Sequence, residues 1–101
     1  MTGDVRARTT DPDGREVTFD DVSYRHLKDR RAALIEHIDL ILATVALPDY
    51  RTPDREPGRE RFFRRNIVDP GRWLRVVVDF NRVPGRIVTA LVQDNDPRQK
   101  S

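Results

Sequence analysis

The sequence holds only two histidines, His26 and His37, and His26 is followed four positions later by Arg30. Histidine is the side chain whose ordinary pKa, about 6.5, lets it take and return a proton near neutral pH. Four positions is about one turn of a helix, so the imidazole and the guanidinium would stand side by side, within reach of one phosphate. That pairing suits metal-free cleavage of an RNA backbone. Such chemistry needs a base for the ribose 2′-hydroxyl, cations or donors for the charged phosphorane, and an acid for the leaving oxygen. The same two residues also fit a solvated helix face with no chemistry at all. His37, set between Leu34, Ile38 and Ile41, reads better as a histidine at the rim of a core.

The cations that such a base would need are abundant. Seventeen of the nineteen basic residues are Arg, and ten of these lie between Arg51 and Arg86 against five acids, a local excess of +5 on a chain of net charge +2. Arginine forks match phosphate geometry, so a phosphate-bearing partner is the natural reading. A GC-rich genome writing Arg in place of Lys is the plain alternative for any one of them. Arg61, Arg64, Arg65, Arg72, Arg75, Arg82 and Arg86 are expected to decorate strands and turns, with Phe62, Phe63 and Trp73 among them as base-stacking or as core residues. Thr89 sits mid-strand between Val88 and Ala90; its hydroxyl could meet a phosphate oxygen, though Thr is also simply a good strand former.

Elements to position these groups can be read from periodicity. Residues 1–14, with the turn Asp11-Pro12-Asp13-Gly14, read as a flexible lead-in, and 16–19 as a short strand. Asp20 and Asp21 are N-cap candidates for a helix over 21–30. Leu34, Ile38, Ile41, Leu42 and Val45 form the core stripe of a second helix over 32–45, with a break near Arg30-Arg31. Residues 51–58 read as an exposed loop. Three strands follow at 61–67, 72–80 and 86–93, joined by Asp69-Pro70-Gly71 and by Pro84-Gly85, the latter as the centre of a type II turn. Leu74, Val76, Val78 and Phe80 alternate onto an apolar face that should receive the helices; Trp73, Arg75, Val77 and Asp79 fall on a mixed face. The expected fold class is therefore α+β, one domain over 15–93, with N-terminal helices packed on one face of an antiparallel β-meander and a flexible tail over 94–101.

Composition excludes several classes. The chain has no cysteine, which rules out disulfides and thiolate metal sites and fits a reducing, cytoplasmic setting. No apolar run is long enough to span a membrane, and Met1-Thr2-Gly3-Asp4 gives no sign of a signal peptide. There is no Gly-rich phosphate loop, no His pair at metal spacing and no Gly-x-Ser-x-Gly elbow, so no metal and no cofactor is expected.

Read in order, His26-Leu27-Lys28-Asp29-Arg30, Pro48-Asp49, Arg61-Phe62-Phe63-Arg64, Val76-Val77-Val78 and Val88-Thr89-Ala90 resemble the phage-type branch of the barnase–EndoU–colicin–RelE superfamily of metal-free ribonucleases. The resemblance spans about two-thirds of the chain. It implies an active site of His26 and Arg30, a basic residue from the first meander strand, which Arg64 fits, and the hydroxyl of Thr89. Where that family often continues Arg-His-Pro-Glu, this chain has Arg30-Arg31-Ala32-Ala33, so acid help would come from elsewhere, with His37 as a candidate, or be absent. The resulting expectation is a metal-independent endoribonuclease, a toxin or phage-conflict effector. His26 would be its base, Arg30, Arg64, Arg75 and Thr89 would act on the scissile phosphate, and Arg61, Arg65, Arg72, Arg82 and Arg86 would bind the remaining RNA. RNA, including tRNA, and an antitoxin or immunity protein are the expected partners. The alternatives are a non-catalytic RNA-binding domain and a protein-interaction module whose arginines meet an acidic partner.

Overall fold

Leu74, Val76 and Val78 form the floor of the core, as their alternation requires, and Trp73, Arg75 and Val77 face the other way. The computed structural model describes residues 4–99; residues 1–3 and 100–101, the ends of the expected lead-in and tail, lie outside it. Within it the chain runs β1 (Val5–Thr10), β2 (Glu16–Asp20), α1 (Asp21–Arg30), a 3-10 helix (Ala32–His37), α2 (Ile38–Ala46), β3 (Tyr50–Pro53), β4 (Arg59–Arg65), β5 (Trp73–Asp79) and β6 (Gly85–Gln93). The strands make one six-stranded sheet in the order β1-β2-β6-β5-β4-β3. All neighbours are antiparallel except β2 and β6, which run parallel and pair only at Val17 with Gly85 and Thr18 with Arg86.

The fold is α+β, as expected, but the sheet is mixed and twice as wide as a three-strand meander. Residues 5–10 are not a lead-in: they pair with β2 as an edge strand. Val5-Arg6-Ala7-Arg8-Thr9-Thr10 is too polar to announce itself, because an edge strand has one side in water and only Ala7 and Thr9 turn inward. Asp11-Pro12-Asp13-Gly14 is the turn that joins it to β2, with Gly14 at φ 87° and the buried Asp11 carboxylate accepting from the Asp13 and Arg15 amides. Residues 51–58 are likewise not all loop, since Tyr50–Pro53 pairs with β4 before Pro53 ends it. Gly85 is not the left-handed centre of a type II turn. It opens β6, and a Cβ there would stand 2.9 Å from the Phe80 ring, so close packing is what keeps the position bare.

The helical break falls at Arg31, whose φ of −144° and ψ of 59° leave the helical region. The first six residues of the expected second helix wind as 3-10 before α2 begins. Leu34, Ile41 and Val45 join Leu27, Val17, Phe19, Phe62, Leu74, Val76, Val78, Ile87 and Ala90 in one buried cluster, and Ile38, Leu42 and Phe80 pack against it half-buried. Val88 is an extra residue in β6, a bulge that sets Ile87 and Ala90 both toward the core. Ile41 is fully buried at the centre of this cluster. Replacing it, Ile41→Ala, should lower the unfolding free energy by about 2–5 kcal/mol in urea titrations at unchanged m-value.

Candidate functional site

Helix α1 is held by its first residues. Asp20, the N-cap, accepts from the Ser23 amide at 3.0 Å, while Ser23 Oγ accepts from the Asp20 amide at 3.2 Å. The same hydroxyl donates to the Ile87 carbonyl at 2.6 Å, and Arg86 Nε donates to the other Asp20 oxygen at 2.7 Å. A capping box thus doubles as a weld between α1 and β6. Burial pushes the Asp20 carboxyl up, but hydrogen bonds from the Ser23 backbone and from Arg86 outweigh it and leave the group below its ordinary value.

Because β2 stops pairing after Thr18, the outer edge of β6 beyond Arg86 is flanked by α1 rather than by a strand. Two small cavities of about 190 Å³ each lie along this seam. One is lined by His26, Arg30, Arg31, Thr89 and Leu91. The other is lined by His26 with Arg59, Asp79, Arg86 and Val88 among its walls. His26 belongs to both, so they form one groove with an exposed imidazole at its middle. Thr89 pairs with Val77 and Leu91 with Arg75, which places Arg75 on the same sheet face, one strand in from the groove.

Arg75 is the electrostatic anomaly of this face. Among the described residues it has no ion-pair or hydrogen-bond partner, and its Nε is buried. Desolvation by burial, then the charges of Arg61 and Arg31, hold its pKa below the ordinary guanidinium value, with Asp54 opposing. An unpaired, half-buried cation beside two further cations favours an anion.

His26, Arg30 and Thr89 line the groove together, and Arg75 stands one strand away on the same sheet face rather than in its wall. Arg64 does not join them: it pairs across β4–β5 with Leu74 and shares that residue's core-facing side. His37 is also elsewhere, in a cavity of about 400 Å³ with Leu34, Val68, Arg72 and Val92. Of the arginines expected to bind nucleic acid, Arg61 stands on the open face but is paired with Asp54 at 2.6 Å. Arg65 lies against Trp73. Arg72 pairs with Asp94 at 2.8 Å, Arg86 with Asp20, and Arg82 sits in the 81–84 turn with its Nε buried and unpartnered. Two groove residues escaped the sequence reading. Arg31 sits at the helix break, and Arg59 alternates in register with Arg61; strand parity could have found the second.

Two other arrangements carry less. A larger cavity of about 570 Å³ is lined by Arg15, Arg51, Arg59, Glu60 and Phe80, but Arg15 and Arg51 are already committed to Asp11, Asp13 and Glu60. Among the described residues no group of three or more His, Asp or Glu is placed to hold a metal ion, and no helix is long and apolar enough to cross a membrane. In comparisons with protein-family models, curated proteins and solved structures, the chain matches none.

The depressed Asp20 carboxyl gives a pH signature. Its contribution is fully present above the ordinary carboxylate pKa, about 4, and is lost as pH falls through the lower folded value. Asp20→Asn keeps a capping oxygen but leaves Arg86 without its counter-ion. It should cost about 2 kcal/mol at neutral pH and flatten the acid limb of a stability–pH curve below about pH 4. Urea midpoints measured from pH 3 to 7 would check both.

Proposed function

We propose that the groove between α1 and β6 binds an RNA phosphodiester and that His26 promotes its cleavage, making the protein a metal-independent endoribonuclease. The observation that carries this is the exposed His26 at the junction of two arginine-lined cavities, opposite Thr89, with the unpaired Arg75 one strand in on the same sheet face. In this reading a neutral His26 takes the proton from the ribose 2′-hydroxyl. The resulting alkoxide attacks the adjacent phosphorus, and the phosphorane charge falls between Arg30, Arg31 and Arg75, with the Thr89 hydroxyl donating to a non-bridging oxygen. The bond to the 5′-oxygen of the next nucleotide then breaks, leaving a 2′,3′-cyclic phosphate, and the protonated His26 or solvent returns the proton to that oxygen. No carboxylate cluster or metal enters the step. The reading places the domain with the barnase–EndoU–colicin–RelE nucleases, in a toxin or phage-conflict role with tRNA among its substrates and an antitoxin or immunity protein as its natural counterpart.

One observation favours a second reading, RNA binding without cleavage. Among the residues lining the groove His26 is the one histidine, and His37 lies in a separate cavity. A single imidazole would have to serve as base and then as acid.

Incubating the protein with total RNA in EDTA separates the two. Cleavage is expected, and His26→Ala should lower it by about 10²–10⁴-fold while affinity hardly changes, because a group that moves a proton acts in the transition state. Arg75→Ala should instead weaken binding and reduce its salt dependence by about one charge. Wild-type protein that binds RNA and leaves it intact would refute the nuclease and leave the binding domain.

A further inference from the structure

The chain has one tryptophan, Trp73, and it stands on the sheet face turned away from α2, yet it is only 2% exposed. Two guanidinium groups lie against the indole: Arg65 from β4, 5.7 Å from the ring centroid, and Arg98, at 5.3 Å. Arg98 belongs to residues 94–99, which follow β6 and double back over this face. Gln93 Nε2 donates to the Asn95 carbonyl at 2.7 Å. Asp96 gathers Arg98 through its amide and Nε, both at 2.9 Å, and through Nη2 at 2.7 Å. Asp94 meets Arg72 Nε at 2.8 Å, and Asp96 also feels the charge of Arg65.

The chemistry of this cover matches what a nucleotide would bring. A planar cation lies over the indole where a planar base would stack, and the Asp94 carboxylate holds Arg72 where a phosphate would sit. None of residues 94–99 is itself buried, so the cover is held by exposed ion pairs and a cation over the ring, contacts that are individually weak and screened by salt. Trp73 is two residues along β5 from Arg75, about 7 Å, on the same face. We infer that Trp73 is a nucleobase-stacking site kept closed by residues 94–99, and that an unpaired base of single-stranded RNA displaces Arg98 from the indole while its phosphate replaces Asp94 on Arg72. This rests on the reading of the groove as an RNA site and extends it along the sheet.

The test uses the full chain and a 2′-O-methyl oligoadenylate, which cannot be cleaved by 2′-hydroxyl attack. Trp73 fluorescence reports the indole directly, and anisotropy of a labelled probe reports binding. The probe should quench the wild-type indole. Asp96→Asn and Arg98→Ala, neither of them in the groove, should open the indole to acrylamide, bind the probe about 2–5-fold tighter and steepen the salt dependence. Equal affinity in all chains, with fluorescence unmoved on binding, would overturn the covered site while leaving groove binding intact. Weaker binding by Arg98→Ala would overturn it too, making Arg98 a contact rather than a cover. Cleavage of total RNA by the wild type, measured alongside, reports on the groove alone. If no chain bound the probe and none cleaved RNA, both readings would fall together.

Discussion

A buried carboxylate, Asp20, is the pivot of the molecule. It ends β2, caps α1 and neutralises Arg86 of β6, so one side chain joins three elements. Such a group is stable only if every partner is in place, because a buried charge left unpaired costs far more than its pairing yields. The position of α1 along β6, and with it the distance from His26 to Thr89, follows from that requirement. The groove is wide enough to line with side chains because β2 lets go of β6 after two residues; a longer parallel pairing would fill the seam with backbone.

A second polar cluster serves closure rather than chemistry. Asp11, Asp13 and Arg15 come from the β1–β2 turn, and Arg51 and Glu60 from β3 and β4, at opposite ends of the strand order. Their ion pairs can form only if the sheet curls around α2 until its two ends approach. Arg15 then lies over the Phe80 ring at 3.6 Å, and Phe80 stands edge-on to Phe62. The two clusters divide the arginines. Those closing the fold are matched by acids, whereas Arg30 and Arg31, which line the groove with His26, and Arg75, one strand in, have no acid partner among the described residues.

What the sequence disclosed follows from burial. The Val-rich strand, the Leu34–Ile41–Val45 stripe, the helix break and the Asp20 cap were legible because each depends on local pattern alone. The edge strands were not, since Val5–Thr10 and Tyr50–Pro53 owe their form to neighbours distant in sequence. In the site, His26 with Arg30 was legible from spacing and Arg75 from alternation along β5. Arg64 was misplaced because Phe62 and Phe63 are both buried, one on each face, so that strand gives no sign of which side is in. Charge pairing was also out of reach: nothing in the order of residues says that Asp94 and Asp96 return to Arg72 and Trp73.

The parallel contact of β2 with β6 has a bearing on how the chain acquires its groove. Thr18 Oγ1 donates to the Gly85 carbonyl across 67 positions, and Asp20 meets Arg86 across 66. The β3–β4 and β4–β5 hairpins close over short loops, whereas this contact must wait until residues 85–86 have been made, and its loop-closure entropy is larger. During synthesis, a ribosome that has not yet released Arg86 and Ile87 holds a chain with helices and hairpins but no seam for α1 to dock against. His26 is present from early on, and the surroundings that would give it a role arrive only with β6.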